Sequence, residues 1–472
     1  MNVYITTSIP YVNGKPHIGH ALELVQADAI ARHNRLAGNQ TVFQTGTDEN
    51  AYKNVIAASE QGISVQTLVD ENSSRFRELV DQLQISADTF IRTTNPKHKT
   101  GVTEFWNRLK KSDIYKKAYK GLYCDGCEDF LLDKDLADGK CPEHITRPVT
   151  VEEKNYFFRL SAYQSELENL ISTDKIYVVP ETRKNEVLSF IRGGLQDISV
   201  SRDAGRMSGW GIPVPGDEKQ VVYVWIDALI NYVTGQGFGY SDDWREIWNP
   251  QTQKLHAIGK NVWKFHAVYW PALLLSAGLP MPNQIVVHGF LTVEGEKISK
   301  SLGTVVDPFH CIESHGAEVL RYYLLSLSPF EDGDYSDAQL EHIYSTDLSN
   351  GIGNLVSRIT SLCGKAALAG LQNHGTPPPP VGYTAHMSAY RFNKALQSIR
   401  NSITGINQKI DHTRPWERLK SDQTKKMLEQ WSEELNAIAY WLQPFLPVAS
   451  LKIIESLSGD TITRLEPLFP RR

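Results

Sequence analysis

The sequence predicts an α/β protein: a parallel-sheet domain, interrupted by a small metal-knuckle insertion and followed by an α-helical bundle. Three observations predict it. The chain opens with a strand–helix–strand pattern. Cysteine pairs with metal-ligand spacing follow Tyr123. Long amphipathic stretches take over from about Asp347.

Val3-Tyr4-Ile5-Thr6-Thr7-Ser8 is β-branched and aromatic and reads as a strand. Asn13-Gly14 and Lys15-Pro16 mark a turn. Leu22, Val25, Ala29 and Ile30 then recur at roughly helical spacing, which predicts a helix from Ile18 to about Leu36, stopped by Gly38-Asn39. Thr41-Val42-Phe43-Gln44-Thr45 reads as the next strand. Such a β-α-β unit implies a parallel sheet with a ligand site at the strand C-terminal ends. His17 and His20 fall on one face of the helix's first turn, where unpaired N–H groups and the positive dipole end suit an anion. Gly19 between them leaves room for a flat base. Simple helix capping competes with this reading; two histidines around a glycine at a strand-to-helix turn favour phosphate binding.

Ile285-Val286-Val287-His288-Gly289-Phe290-Leu291 reads as a later buried strand. Residues 292–296 have the make-up of a mobile loop and lead into Lys297-Ile298-Ser299-Lys300-Ser301. A lysine on such a loop can close on a phosphate whose charge grows during group transfer. Neither G-x-G-x-x-G nor G-x-x-x-x-G-K-[ST] occurs, which counts against a dinucleotide oxidoreductase and a P-loop NTPase.

Of five cysteines, Cys124-x-x-Cys127 and Cys141-x-x-His144 make two tight ligand pairs separated by a loop. That spacing predicts a closed, structural zinc site. Cys311 and Cys363 are isolated and are expected to be buried small residues. In the last third, Leu348, Ile352, Leu355, Val356 and Ile359 share a helical stripe, and further helices are expected at about 385–410 and 424–442. Thr376-Pro377-Pro378-Pro379-Pro380 is a stiff connector within a bundle of about 125 residues.

The 472 residues imply several domains, and a charged fraction of 22% is that of a soluble globular protein. No apolar run approaches a membrane span, and the N-terminus has no targeting character, so the cytoplasm is expected. A net charge of −5 is not that of a small, basic nucleic-acid module. A larger enzyme can still carry a local basic surface, to which Arg32, Arg35, Lys53, Arg108, Lys110 and Lys111 could contribute.

The histidine and lysine motifs together resemble the signature pair of class I aminoacyl-tRNA synthetases. The stretches Ile9-Pro10-Tyr11-Val12-Asn13-Gly14, Thr45-Gly46-Thr47-Asp48-Glu49, Lys184-Asn185-Glu186-Val187-Leu188, Trp210-Gly211-Ile212-Pro213 and Tyr223-Val224-Trp225-Ile226-Asp227-Ala228 narrow the resemblance to the methionyl-tRNA synthetases, from Tyr4 to about residue 450. The resemblance implies a Rossmann-type catalytic domain in two halves, 1–115 and 223–325. A connective insertion with the zinc knuckle, 116–222, separates them. A linking segment, 326–346, and a helical anticodon-binding bundle, 347–472, follow. It implies ATP-dependent activation of methionine to methionyl adenylate and transfer to the 3′ end of methionine tRNA.

By the same resemblance, His17, His20, Lys297 and Lys300 are catalytic. Gly19, Lys260, Lys297, Ser299 and Lys300 bind ATP, with Mg2+. Ile9, Tyr11, Asp48, Trp225, Leu229, Tyr232 and His266 hold methionine. Cys124, Cys127, Cys141 and His144 hold Zn2+, and Asn354, Arg358 and Trp416 meet the tRNA. The chemistry is apt: a thioether suits aromatic faces, a carboxylate suits an ammonium, and an exposed Trp suits an unpaired base. The chain ends soon after the bundle, without the additional domain of some members, so a monomer is expected. Two positions depart from the family pattern: Asn50-Ala51 stand where His-Gly is usual, and Asn261 where Asp is usual. They keep open a divergent paralogue, insensitive to an inhibitor or altered in amino acid or acceptor; a catalytically inactive tRNA-binding protein fits the intact motifs less well.

Overall fold

The computed structural model describes the chain apart from Asp125, Leu132, Lys134, Asp135, residues 143–145 and 299–304, Asn373, His374 and Arg472, and describes only the backbone of Asp129 and Lys297. It divides into two compact units. The first comprises Met1–Pro16, Gln40–Leu79 and Ala87–His288; the second comprises His17–Asn39, Val80–Ser86 and Gly289–Arg472. The helix after the first strand, Ile18–Leu36 (α1), has the bounds its periodicity predicts, yet it groups with the second unit.

The first unit is built on a six-stranded sheet: β1 (Asn2–Thr7), β2 (Gln40–Thr47), β3 (Thr89–Arg92), β4 (Tyr177–Val179), β5 (Gln253–Gly259) and β6 (Gln284–His288), in the order β3-β2-β1-β5-β6-β4. Every pairing is parallel. Strand order runs one way from β1 to β3 and the other way from β5 outward. The switch point between β1 and β5 is where doubly wound sheets bind ligands, at the strand C-terminal ends. Between β3 and β4 the chain forms an antiparallel four-stranded sheet from Ile114–Cys124, Asp129–Leu131, Val149–Phe158 and, beyond β4, Ile198–Ser199. Two helices of this unit matter below, α2 (Pro96–Arg108) and α3 (Val224–Thr234). Every α3 residue but Trp225 is buried, polar ones included, as befits a helix enclosed by its own core.

In the second unit, α4 (Ala317–Ser326) is followed by α5 (Asn354–Lys365), α6 (Phe392–Thr413), α7 (Asp422–Leu442) and α8 (Pro447–Ser458). Leu355, Ile359, Ile399, Ile406, Leu428 and Leu435 are buried where the amphipathic stripes of α5, α6 and α7 place them. Two local expectations change. Residues 292–296, expected to be a loop, mostly belong to a hairpin of Leu291–Val293 with Glu296–Lys297. Its turn takes Glu294 and Gly295 through φ of 55° and 77°, the positive-φ pair that matches strand twist. The stripe from Leu348 begins in a π-helical stretch, Tyr344–Gly353, before α5. Among the described residues, no helix is long and apolar enough to cross a membrane.

Candidate active site

In the first unit, Ile9 and Tyr11 follow β1, Asp48 follows β2, and Lys260 follows β5, so the C-terminal ends of three neighbouring strands supply them. Tyr11 bridges Asp48 backbone to backbone. Its ring meets Trp225 edge-on, with centroids 5.7 Å apart. Trp225 stacks flat on Phe265 at 3.8 Å, and its Nε1–H donates to the Cys127 carbonyl at 3.3 Å. Leu229 and Tyr232 lie one and two turns further along α3, both buried. Tyr232 Oη is 2.6 Å from His266 Nε2, and His266 Nδ1 is 2.9 Å from the Val262 carbonyl. A carbonyl only accepts, so Nδ1 carries the proton and Nε2 accepts from the tyrosine hydroxyl. Phe265 was missed by the sequence reading. It lies in a π-helical turn, Phe265–Tyr269, where 3.6-residue periodicity gives no signal.

The polar part of this region is acidic. Asp48 is buried, and its pKa is held well above the ordinary 3.8, first by loss of water and then by Asp227, Glu128 and Glu49; the Asn50 N–H, at 3.4 Å, works the other way. Asp227 Oδ1 lies 2.6 Å from His98 Nε2, and Oδ2 accepts from Asn50 Nδ2 at 2.6 Å. Glu49 instead takes a bidentate fork from Arg92, at 2.6 and 3.0 Å. The region therefore gathers Asp48, Asp227, Glu128 and Glu49, with burial and the neighbouring acids favouring the neutral form of Asp48.

In the second unit, His17 is the N-cap of α1. Its Nδ1 accepts from the Gly19 N–H at 3.1 Å, and His20 Nδ1 accepts from the His17 N–H at 3.0 Å. The reciprocal pair makes a capping box, with the rings stacked 3.8 Å apart. With both Nδ1 atoms accepting, capping leaves the Nε2 edge of each ring out of the box. Loss of water, then the neighbouring His17, lowers the His20 pKa well below its usual range, so that ring is neutral at pH 7. A Cβ at Gly19 would lie 3.0 Å from His17 Cε1, a tight contact that would press on the His17 ring. Lys297 ends the 291–297 hairpin, while Ser299 and Lys300 lie outside the described residues.

The Sγ atoms of Cys124, Cys127 and Cys141 lie within 4.8 Å of one another, and none of the five cysteines is in a disulfide. Burial and the two adjacent sulfurs push the Cys127 thiol up. Soft donors gathered on one point can hold a metal ion. His144 lies outside the described residues. Cys311 and Cys363 are buried singly, as expected.

The model of the family "tRNA synthetases class I (M)" matches residues 3–147 and 143–360. The methionine–tRNA ligase of Brucella suis is 39% identical over 512 residues, covering 99% of this chain and 97% of that protein. That of Thermotoga maritima is 38% identical, covering 100% and 80%. The chain belongs to the methionine–tRNA ligase family of class I tRNA synthetases. A crystal structure of the Mycobacterium tuberculosis methionyl-tRNA synthetase bound by methionyl-adenylate superposes with a TM-score of 0.92 at 35% identity, covering all of both chains. The apo form of the same synthetase gives 0.84 at 34%, covering 100% of this chain and 98% of that one.

Within this family, the two departures fall on unlike ground. Asn50 is buried and spans Asp227 and the Thr93 carbonyl, and Ala51 is fully enclosed. Asn261 is exposed. Arg202, which an acid there could have met, is buried, with Nη1 on Ser199 Oγ at 3.0 Å and its guanidinium 3.8 Å from the Tyr223 ring centroid. In the bundle, Asn354 opens α5, and Arg358, one turn on, donates to Asn407 at 3.0 Å and pairs with Asp411 at 2.5 Å. Trp416 sits in a short 3-10 turn, 46% exposed, with the Arg414 guanidinium 6.0 Å from its ring.

Proposed function

We propose that this protein is a cytoplasmic, monomeric methionine–tRNA ligase. The methionine carboxylate attacks the α-phosphorus of ATP, giving methionyl adenylate and pyrophosphate; the terminal ribose hydroxyl of methionine tRNA then takes the methionyl group and AMP leaves. The Tyr11–Trp225–Phe265 aromatic wall and Leu229 receive the thioether, with Tyr232 and His266 at one side and Ile9 beside the strand ends. Asp48 pairs with the substrate ammonium. His17 and His20 direct Nε2–H donors at the phosphates from a helix N-terminus, His20 as a neutral donor. Gly19, Lys260 and Ser299 hold the nucleotide, and Lys297 and Lys300 follow the departing pyrophosphate. Mg2+, carried in with ATP, supplies charge neutralisation. Catalysis is positioning plus electrostatics.

Zn2+ on Cys124, Cys127, Cys141 and His144 is structural. Trp416 stacks on an anticodon base, with Asn354 and Arg358 beside it; Arg358 must leave Asp411 to do so. The domains run 1–115 and 223–325 for the catalytic halves, 116–222 for the insertion, 326–346 for the link and 347–472 for the bundle. The observation that carries this reading is the buried, cation-seeking Asp48 beside a Tyr11–Trp225–Phe265 wall, in a chain alike over its full length to a synthetase bound by methionyl-adenylate. The test is ATP–pyrophosphate exchange across all twenty amino acids. Exchange with methionine alone, lost in His20→Ala and Lys300→Ala, is expected. Exchange with a different amino acid, or none from folded, metal-loaded protein, would overturn the reading.

A further inference from the structure

Asp28 and Arg321 are both fully buried and meet at 2.6 Å inside the second unit. Asp28 is in the middle of α1; Arg321 is in the middle of α4. The pair is the centre of a larger hub. Arg321 donates to the Leu83 carbonyl at 3.0 Å, to the Pro444 carbonyl at 2.9 Å and to the Phe445 carbonyl at 3.3 Å. Asp28 accepts from the Ser86 N–H at 2.7 Å, from Ser86 Oγ at 2.6 Å and from Arg32 Nε at 2.7 Å. Arg32 in turn donates to the Gln84 carbonyl at 2.6 Å. One polar centre thereby fixes four segments: α1, residues 83–86, α4 and the turn between α7 and α8.

Stability alone is a poor reason for such a centre. Two charges removed from water seldom outperform well-packed apolar side chains of the same volume. What an apolar core could not supply is direction, since each of these bonds fixes an angle as well as a distance. The hub is also not the only tie on α1. Ile18 N–H donates to the Val306 carbonyl at 3.1 Å, next to the histidine pair, and Tyr440 Oη, on α7, donates to the Leu36 carbonyl at 3.1 Å. The helix is held at its first turn, its middle and its last residue by other segments of the second unit.

We propose that Asp28 and Arg321 are positioning residues for His17 and His20: the buried hub sets the axis of α1, so the α4–α8 helices carry the histidine pair. They touch no substrate and act through the helix. This rests on the ligase reading for its kinetic consequence but not for its mechanical one, so two readouts separate them. Arg321→Met leaves Asp28 its bonds to Arg32 and Ser86. In methionine-dependent pyrophosphate exchange, normalised to titrated active sites, kcat should fall by about 10- to 100-fold, the scale expected when a catalytic group is misplaced by about 1 Å. KM for methionine should stay within about twofold, because that pocket belongs to the other unit. Arg321→Lys, which keeps the charge but not the fork, should recover part of kcat. Hydrogen exchange should quicken in the first turns of α1, not only around Asp28. Should Arg321→Met not fold, Asp28→Asn gives the same two readouts. A variant with lowered thermal stability but unchanged kcat per active site and unchanged exchange at residues 17–25 would overturn the proposal. Altered exchange at residues 17–25 in a protein with no methionine-dependent activity would uphold the mechanical link and sink the ligase reading instead.

Discussion

Asp28 and Asp48 are both buried carboxylates, and the protein treats them in opposite ways. Burial alone would raise the pKa of each. At Asp28, Arg321, Arg32 and the Ser86 hydrogen bonds overcome that and hold it below 3.8; at Asp48, Asp227, Glu128 and Glu49 add to it. The first is finished within the folded chain, with a donor for every lone pair it offers. The second lies buried among other acids, in the same unit as an aromatic wall. The difference fits the two proposals, that Asp28 locates a helix and that Asp48 receives a ligand.

The largest effect should come from Asp48→Asn. On the proposed pairing with the ammonium, its loss should cost amino-acid activation about 2–5 kcal/mol, read as kcat/KM in methionine-dependent exchange, while leaving the fold as stable as before or more so. Asp28→Asn should do the reverse to stability. It strands a buried guanidinium and should cost about 3–5 kcal/mol in urea unfolding. If the two variants behaved alike, the contrast would be broken. Trp416→Ala should cost about 1–3 kcal/mol in tRNA aminoacylation, through loss of one base stack, with pyrophosphate exchange untouched.

The smallest effect is one of pH, and it has opposite signs at the two sites. Asp28, lowered below 3.8 in the folded state, contributes stability that is present above pH 3.8 and lost as pH falls through its folded value. Asp48, raised above 3.8, keeps a proton that the unfolded chain gives up, so stability falls as pH rises from 3.8 towards its folded value. Unfolding midpoints across pH should lose the acid-side drop in Asp28→Asn and the rising-pH decline in Asp48→Asn.

Sequence patterns reach the helix Ile18–Leu36, the opening β-α-β unit and the cysteine cluster because each is coded locally, by periodicity or by short spacing. What they miss is coded at a distance. β1 pairs with β5 some 250 residues on, Val3 opposite Gln253, and nothing local in either strand says so. Asp28 reads as one polar residue of an amphipathic helix until Arg321 is brought to it. The grouping of α1 with the second unit is invisible for the same reason. Around the strand ends, Tyr11, Trp225 and Tyr232 stand in stretches that motif resemblance marks, whereas Phe265, His98 and Glu128, which the fold brings beside Trp225, Asp227 and Asp48, carry no motif. Arg358 was expected as a reader of RNA and is found engaged with Asp411, a partner 53 positions away.

The most direct measurement of whether Asp48 awaits an ammonium is calorimetric binding of methionine and of 4-(methylthio)butanoate, which lacks the amine, to the native protein and to Asp48→Asn. The native protein should prefer methionine by at least about 30-fold, the lower end of a lost buried charge pair, and the variant should bind both with the same weak affinity. If Asp48→Asn kept the full preference for methionine, the carboxylate would not be the ammonium's partner, and the contrast with Asp28 would lose its meaning.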